Sequence, residues 1–238
     1  MKKTEETYVH APEVAERLSW LRGQLLSWFG GKGRSFPWRD HGRAPYEVAI
    51  AEILLQRTTA TGVARVYPGL IERYPSWETL AQAPLEDLER ALRPLGLWRQ
   101  KAQAFQRLAQ SLKEHEGGIP RSRAELEGLR GVGPYTASAL LAVVYGQDEP
   151  LLDVNMARLL DRFFERPEDA GVGRDRSLNQ LARHLVSGER SLQVNWAVLD
   201  FGALVCKARR PRCQECQLQS RCQHALSRAT PTSNTLSG

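Results

Sequence analysis

Four cysteines, the chain's whole supply, fall in one short run: six residues separate Cys206 from Cys213, two separate Cys213 from Cys216, and five separate Cys216 from Cys222. Thiols this close in sequence can pair as disulfides or bind metal. Disulfides confined to one loop would staple nothing distant together, and no signal-peptide pattern points to an oxidising compartment. Metal is the better reading. Structural zinc usually draws its ligands from two separated Cys-x2-Cys knuckles, whereas a single wrapped loop with one Cys-x2-Cys suits a [4Fe-4S] cluster held by four thiolates. The spacing favours the cluster, with zinc as the alternative.

Two carboxylates stand out by their settings. Glu52 lies among Ile50, Ile53, Leu54 and Leu55, where desolvation should raise its pKa and make a protonated acid accessible; the plainer alternative is an exposed helical glutamate. Asp153 follows Leu151 and Leu152 and precedes an apolar-periodic helix containing Met156 to Phe164, so in structural terms it is an N-cap. A third feature is Arg130-Gly131-Val132-Gly133-Pro134 between two helical segments. Two glycines permit left-handed angles and close approach of a ligand, and Pro134 suits a first helical position, so this is a helix-hairpin-helix whose amides around Gly131, Val132 and Gly133 could take a DNA phosphate. By itself the same string could be an ordinary helix-to-helix turn.

These groups must be positioned by helices. Apolar residues recur at helical spacing in Val14, Leu18, Leu21 and Leu25; Ile50, Ile53 and Leu54; Leu88, Leu92 and Leu95; Leu140, Val143 and Val144; and Leu159, Leu160 and Phe163. Gly and Pro punctuate these segments, and no alternating strand is evident, so the expected fold class is all-α with about ten helices. The ends, 1–11 and 227–238, are polar, lack periodicity and are expected to be mobile. With 238 residues there is room for one large or two small domains, and no stretch approaches the roughly 20 apolar residues of a membrane span. No membrane partner is expected, and the cytoplasm, in association with the nucleoid, is the expected location. A net charge of +6, carried largely by arginine, implies a polyanionic partner. Lys207, Arg209, Arg210 and Arg212 place four of these charges between the first two cysteines; they either meet a phosphate backbone or balance an anionic cluster.

Taken in order, Phe36 to Arg39, Ala51 to Thr59, Leu126 to Ala137 (LEGLRGVGPYTA), Leu152 to Asn155 and the cysteine loop resemble the endonuclease III, or helix-hairpin-helix, superfamily of DNA glycosylases. The resemblance spans about residues 12–224. It implies a two-domain fold, with a helical barrel at 35–147 and a discontinuous cluster domain at 12–34 plus 148–224, and a cleft between them into which a nucleotide rotates. It also implies a double-stranded DNA partner holding a mismatched or damaged base, and a monomeric enzyme of base excision repair.

What the resemblance implies for single residues follows from the chemistry. Hydrolysis of the bond from deoxyribose C1′ to a base leaves positive charge on the sugar, and Asp153 matches the family's catalytic aspartate, which stabilises that charge. Glu52 matches a glutamate that protonates the departing purine in adenine-specific relatives and is also present in those removing thymine or uracil opposite guanine. Tyr135 stands where bifunctional members carry the lysine that forms a Schiff base, and no lysine occurs between Lys113 and Lys207. A monofunctional glycosylase is expected, with Tyr135 packing beside the sugar and directing its hydroxyl or ring at the developing cation; the plainer alternative is a helix-start aromatic that fills the cleft wall. Gln56, Arg57 and Thr58 occupy the stretch from which relatives fill the gap left by the flipped base, with Arg57 as the wedge. Arg57 to Ala60 and Leu95 to Ala102 look closer to thymine/uracil mismatch glycosylases than to adenine ones, and with sixteen residues after Cys222 the extra C-terminal domain of adenine glycosylases is expected to be absent. Adenine excision opposite guanine or 8-oxoguanine, a bifunctional endonuclease III-like activity, and a catalytically silent iron–sulfur DNA-binding protein are the alternatives. Arg130 replaces the proline usual before the hairpin turn, a departure that bears on the entry geometry of the phosphate site.

Overall fold

A computed structural model describes residues 11–40, 42–114, 118–166 and 175–229. Among these residues there are twelve α-helices, two 3-10 turns and no strand. Contacts divide the chain into two compact units, one formed by the chain up to Arg34 together with Pro150 onward, the other by Ser35–Glu149.

The first unit contains α1 (Pro12–Lys32), and later α9 (Val154–Phe164), α10 (Arg176–Val186), α11 (Ser191–Leu204) and α12 (Gln223–Ala229). Pro12 at the first position, Glu13 in the first turn and Lys32 in the last suit α1 to its own dipole. Its buried residues Val14, Leu18, Leu21, Leu25 and Trp28 fall at three- and four-residue intervals and form one stripe, which packs on α10 and α11. Helix α11 also receives the chain at both points where it leaves or re-enters the unit. The buried Asp200 carboxylate accepts from Arg34 N at 2.7 Å and Arg34 Nε at 2.9 Å, and Asn195 Oδ1 accepts from Leu151 N at 2.7 Å. Buried polar groups that are paired in this way define one arrangement of the chain rather than many.

The second unit holds α2 (Pro45–Leu55), α3 (Ala60–Arg73), α4 (Trp77–Gln82), α5 (Leu85–Leu92), α6 (Trp98–Glu114), α7 (Arg123–Gly128) and α8 (Pro134–Tyr145). Helix α2 is apolar all round, with every residue from Tyr46 to Leu54 except Glu47 buried. A helix of that kind belongs in the middle of a core, and α2 packs against α3, α6 and α8. On α8, Thr136 to Ala142 are all buried in turn. Gly146, at φ 65°, ends α8 with a left-handed cap whose amide donates to Leu141 O.

The hairpin differs in one respect from the sequence expectation. Gly131 is left-handed, at φ 93°, but Gly133 is extended, at φ −95°. Gly133 instead caps α8, and a side chain there would meet nothing within 4 Å; the turn needs only one left-handed residue. The polar ends lie mostly outside the described residues, but Ser227 to Ala229 form the last turn of α12, so helix extends past the expected boundary.

Candidate active site and cysteine pocket

Asp153 sits at the start of α9 in extended conformation and caps it, as the sequence predicts. Its Oδ1 accepts from the amides of Asn155 at 2.8 Å and Met156 at 2.9 Å, and its Oδ2 accepts from Asn155 Nδ2 at 2.5 Å. Capping thus occupies mainly one oxygen. Burial pushes the Asp153 carboxyl above its ordinary range, opposed by the hydrogen bonds from Met156 and Asn155 and by the charge of Arg158. The donors favour the charged form of the carboxylate and so oppose part of the desolvation that disfavours it.

Sequence reasoning missed the two residues that orient this carboxylate. Asn155 Oδ1 accepts from Arg158 Nη2 at 2.7 Å; Arg158 also donates to Cys206 O at 2.8 Å and Gly202 O at 2.9 Å. A Cβ on Gly202 would stand 2.7 Å from that of Asn155, so only glycine lets α11 approach so closely. Asn155 was visible as the residue closing Leu152 to Asn155. Arg158 carried no local signal, because the carbonyls that anchor it, of Gly202 and Cys206, lie 44 and 48 residues away and its local bond to Asn155 depends on that anchoring.

In the second unit Glu52 is 6% exposed, and its Oε2 has no hydrogen-bond partner. Burial pushes the carboxyl up to about 7, against the lowering effect of the Arg39 charge. The exposed-glutamate alternative is therefore excluded. Near neutral pH such a group exists as both acid and base, the condition for general acid catalysis.

Helix α2 ends at Leu55, and Gln56, Arg57 and Thr58 form the turn that follows it. Gln56 and Arg57 are exposed, and Arg57 is left-handed at φ 54°. Gln56 Nε2 donates to Thr136 Oγ1 at 2.9 Å, and Thr58 Oγ1 donates to Gln56 O at 3.2 Å. Tyr135, half-buried, is the second residue of α8. Glu52, Gln56, Thr136 and Tyr135 therefore share the α2–α8 pair. No side chain caps α8, so its first-turn amides are left available at the positive helix end. The Val132 side chain is buried while Gly131 and Gly133 are exposed, and the Val132 amide donates to Leu129 O at 3.1 Å; the turn itself consumes that donor, so Val132 does not offer the phosphate contact expected from sequence.

Two further residues of this unit were not expected as site residues. Lys101, read only as part of a segment that the family shares, is buried, and burial lowers its pKa to about 8. Its signal was its register: Lys101, Phe105, Leu108 and Leu112 lie on one buried stripe of α6, and a lysine on an apolar stripe calls for partners. Leu97, just before α6, is a large exposed apolar residue held left-handed at φ 60°.

In the first unit Cys206, Cys213, Cys216 and Cys222 line one pocket together with Leu159, Arg162 and Phe201. Among the described residues no three His, Cys, Asp or Glu side chains converge closely enough to hold one metal ion. Burial and the neighbouring thiols raise Cys216 to about 11, and burial likewise raises Cys222. Four thiolates would not persist here without cationic metal between them. Arg162 Nη1 lies 3.5 Å from Cys206 Sγ and its buried Nε has no partner, a donor suited to an anionic group in the pocket. Arg162 also donates to Lys207 O at 2.8 Å and Ala208 O at 3.1 Å, which fixes the loop where Arg209, Arg210 and Arg212 are exposed and Lys207 partly so.

An all-helical fold with a helix-hairpin-helix turn and a capping aspartate nineteen residues after the Pro134 helix start is the pattern of a known repair family. The chain belongs to the HhH-GPD superfamily of base excision DNA repair proteins, which it matches over residues 50–184. It is thereby a DNA N-glycosylase with DNA as its partner. Its relatives include a thymine/uracil-DNA glycosylase of Methanothermobacter thermautotrophicus, 31% identical over 84% of this chain and 90% of that protein. Another, a thymine/uracil-DNA glycosylase of Pyrobaculum aerophilum, is 37% identical over 83% and 88%. The human adenine DNA glycosylase is 34% identical over 89% of this chain but only 40% of its own length. Among solved structures, a thermostable thymine-DNA glycosylase superposes with a TM-score of 0.83 at 30% identity, covering 89% of this chain and 98% of that one. A trapped endonuclease III–DNA covalent intermediate gives 0.76 at 28% identity, covering 91% and 99%.

Proposed function

We propose that this protein is a monofunctional glycosylase that removes thymine or uracil mispaired with guanine, acting as a monomer on duplex DNA of the nucleoid. The observation that carries monofunctional hydrolysis is Tyr135 at the second position of α8, in a stretch with no lysine between Lys113 and Lys207. A phenol cannot form a Schiff base with C1′, so water is the nucleophile. The two thymine/uracil-specific relatives, each matched over nearly its whole length, support the choice of base.

The roles follow from the chemistry. Asp153, ionised and with Oδ2 only partly engaged, stabilises the cationic sugar and orients water. Glu52 protonates or hydrogen-bonds the departing base. Amides at Gly131 and Gly133 take a phosphate, and Arg57, backed by Gln56 and Thr58, fills the gap left in the stack. Lys207, Arg209, Arg210 and Arg212 meet the backbone electrostatically.

The four cysteines hold a [4Fe-4S] cluster. Four thiols that line one pocket and come from a single wrapped loop, spaced by six, two and five residues, fit a cube of iron and sulfide better than a zinc ion drawn from two separated knuckles. When bound, the cluster supplies structural cross-linking of the loop and a redox-capable centre.

Single-turnover reactions on duplexes carrying G·T, G·U, A·G or A opposite 8-oxoguanine test the proposal. Strand breaks appearing only after alkali, and only with G·T and G·U, are the expected result; preferential adenine release would overturn the choice of base. Iron and sulfide analysis should give the four-to-four ratio of the cluster, and a zinc-loaded, iron-free protein would remove it. Tyr135→Lys should gain an activity. With the amine in place, borohydride should trap a covalent enzyme–DNA species that the parent protein does not give.

A further inference from the structure

The turn after α2 carries a strained residue in an exposed position. Arg57 is a non-glycine residue in left-handed conformation, a strained arrangement that persists only when its surroundings enforce it. The enforcement comes from α6. Lys101 is 4% exposed, and its Nζ donates to Ile53 O at 3.2 Å, Leu54 O at 2.9 Å and Gln56 O at 2.6 Å. Three donors thus meet three carbonyls at and just past the C-terminal, negative end of α2; Ile53 O also accepts from Gln56 N at 3.3 Å and Gln56 O from Thr58 Oγ1 at 3.2 Å, so the ammonium completes a turn that closes on itself. Lys101 also belongs to the first turn of α6, where its amide donates to Leu97 O at 3.0 Å. That residue is the second exposed, left-handed, non-glycine residue of this unit. One lysine therefore joins the two strained turns through its side chain and its backbone.

We propose that Lys101 is a positioning residue that locks the Ile53–Thr58 turn to the start of α6, so that Arg57 and Leu97 enter the duplex as one preset unit. The proposal rests on the reading of Arg57 as the side chain that fills the gap left by the flipped nucleotide. A simple helix cap would stabilise the fold without affecting that step. A locked turn instead removes ordering entropy from the insertion step itself. Lysine suits the position because its compact head can serve three converging acceptors, which neither a methionine nor a planar guanidinium could do in the same space.

The test uses the full-length protein and a duplex with 2-aminopurine beside a G·T pair, whose fluorescence reports unstacking without requiring excision. Lys101→Met should weaken the unstacking equilibrium about tenfold or more and slow single-turnover excision by a similar factor, while affinity for fully paired duplex stays within about twofold at fixed salt. Arg57→Ala should give a comparable loss, and the double variant should fall well short of the product of the two single losses, because Lys101 acts in part through that side chain and otherwise through Leu97. Additive losses would overturn the proposal, as would a Lys101→Met protein that unstacks the duplex like its parent. Lys101→Gln, which keeps an amide donor, should lie between parent and methionine variant. If neither variant folds, Lys101 is a stability residue and the proposal fails. Should the parent protein itself unstack no mismatch, the proposed function fails instead, a distinguishable result.

Discussion

Asp153→Asn should lose excision by about 10²- to 10³-fold while melting within a few degrees of the parent protein. The separation follows from what each Asp153 oxygen does. As an N-cap, Asn is about as good as Asp, and its Oδ1 can keep both amides of the first turn, now received from Asn155 and Met156. The expected stability costs are the lost charge at a helix N-terminus, about 0.3–1 kcal/mol, and a clash of donors. The side-chain amide introduced by the substitution would face Asn155 Nδ2, and the oxygen of Asn155 is already taken by Arg158, so Asn155 cannot turn over without breaking that bond. These costs are partly offset, because burial already disfavours the Asp153 anion. Catalysis has no such substitute. A neutral amide offers no negative charge to a sugar approaching an oxocarbenium state, and the deficit appears in the transition state rather than in binding. Single-turnover rates on G·T duplex, compared with thermal melts of the same preparation, check both halves. An asparagine variant within threefold of the parent rate would reduce Asp153 to a cap.

The sequence disclosed this site unevenly, for physical reasons. Motifs short enough to be local, such as the Gly131 to Pro134 turn and the Asp153 cap, were legible because the residues that determine their geometry are adjacent in the chain. So were the helices, whose apolar stripes depend on spacing alone. Glu52 was readable only as a tendency: its neighbours were apolar, but its burial depends on α3, α6 and α8 closing around α2, contacts made by residues far along the chain. Lys101, Arg158 and Arg162 were overlooked for the same reason, since each donates to backbone carbonyls more than forty residues away, and a carbonyl has no residue identity for a sequence to display. The left-handed turns at Arg57 and Leu97 also escaped notice. Glycine advertises such a turn, as at Gly131, whereas arginine and leucine conceal it until the supporting lysine is seen.

Glu52→Gln should make the protein more resistant to alkali and much less active. The folded-state pKa of about 7 lies above the ordinary value of 4.5, so between these values the folded chain binds more protons than the unfolded one, and stability falls as pH rises. The contribution of Glu52 is fully present below about pH 4.5, is lost as pH climbs through 7, and is constant above. The whole span corresponds to about 3 kcal/mol. Glutamine does not titrate, so the difference in unfolding free energy between variant and parent should shift in favour of the variant by that order between pH 4.5 and 8, with most of the change complete by pH 7.5. Denaturant midpoints across this range measure it. Activity should move in the opposite sense. In the parent, excision should decline as pH rises past about 7 and the acid form of Glu52 is depleted. Glu52→Gln should remove that limb and leave a flat profile, roughly 10²-fold or more below the parent at neutral pH, the scale of a lost general acid. A parent protein whose stability is level from pH 5 to 8 would show that water reaches Glu52 Oε2 and that the carboxyl is not held dry. An unchanged alkaline limb in the glutamine variant would assign the titration to another group. Both results together would leave Glu52 without the acid's role. The expected pair, in which stability rises as catalysis is lost, is the signature of a charged group kept in an unfavourable place because the reaction needs it there.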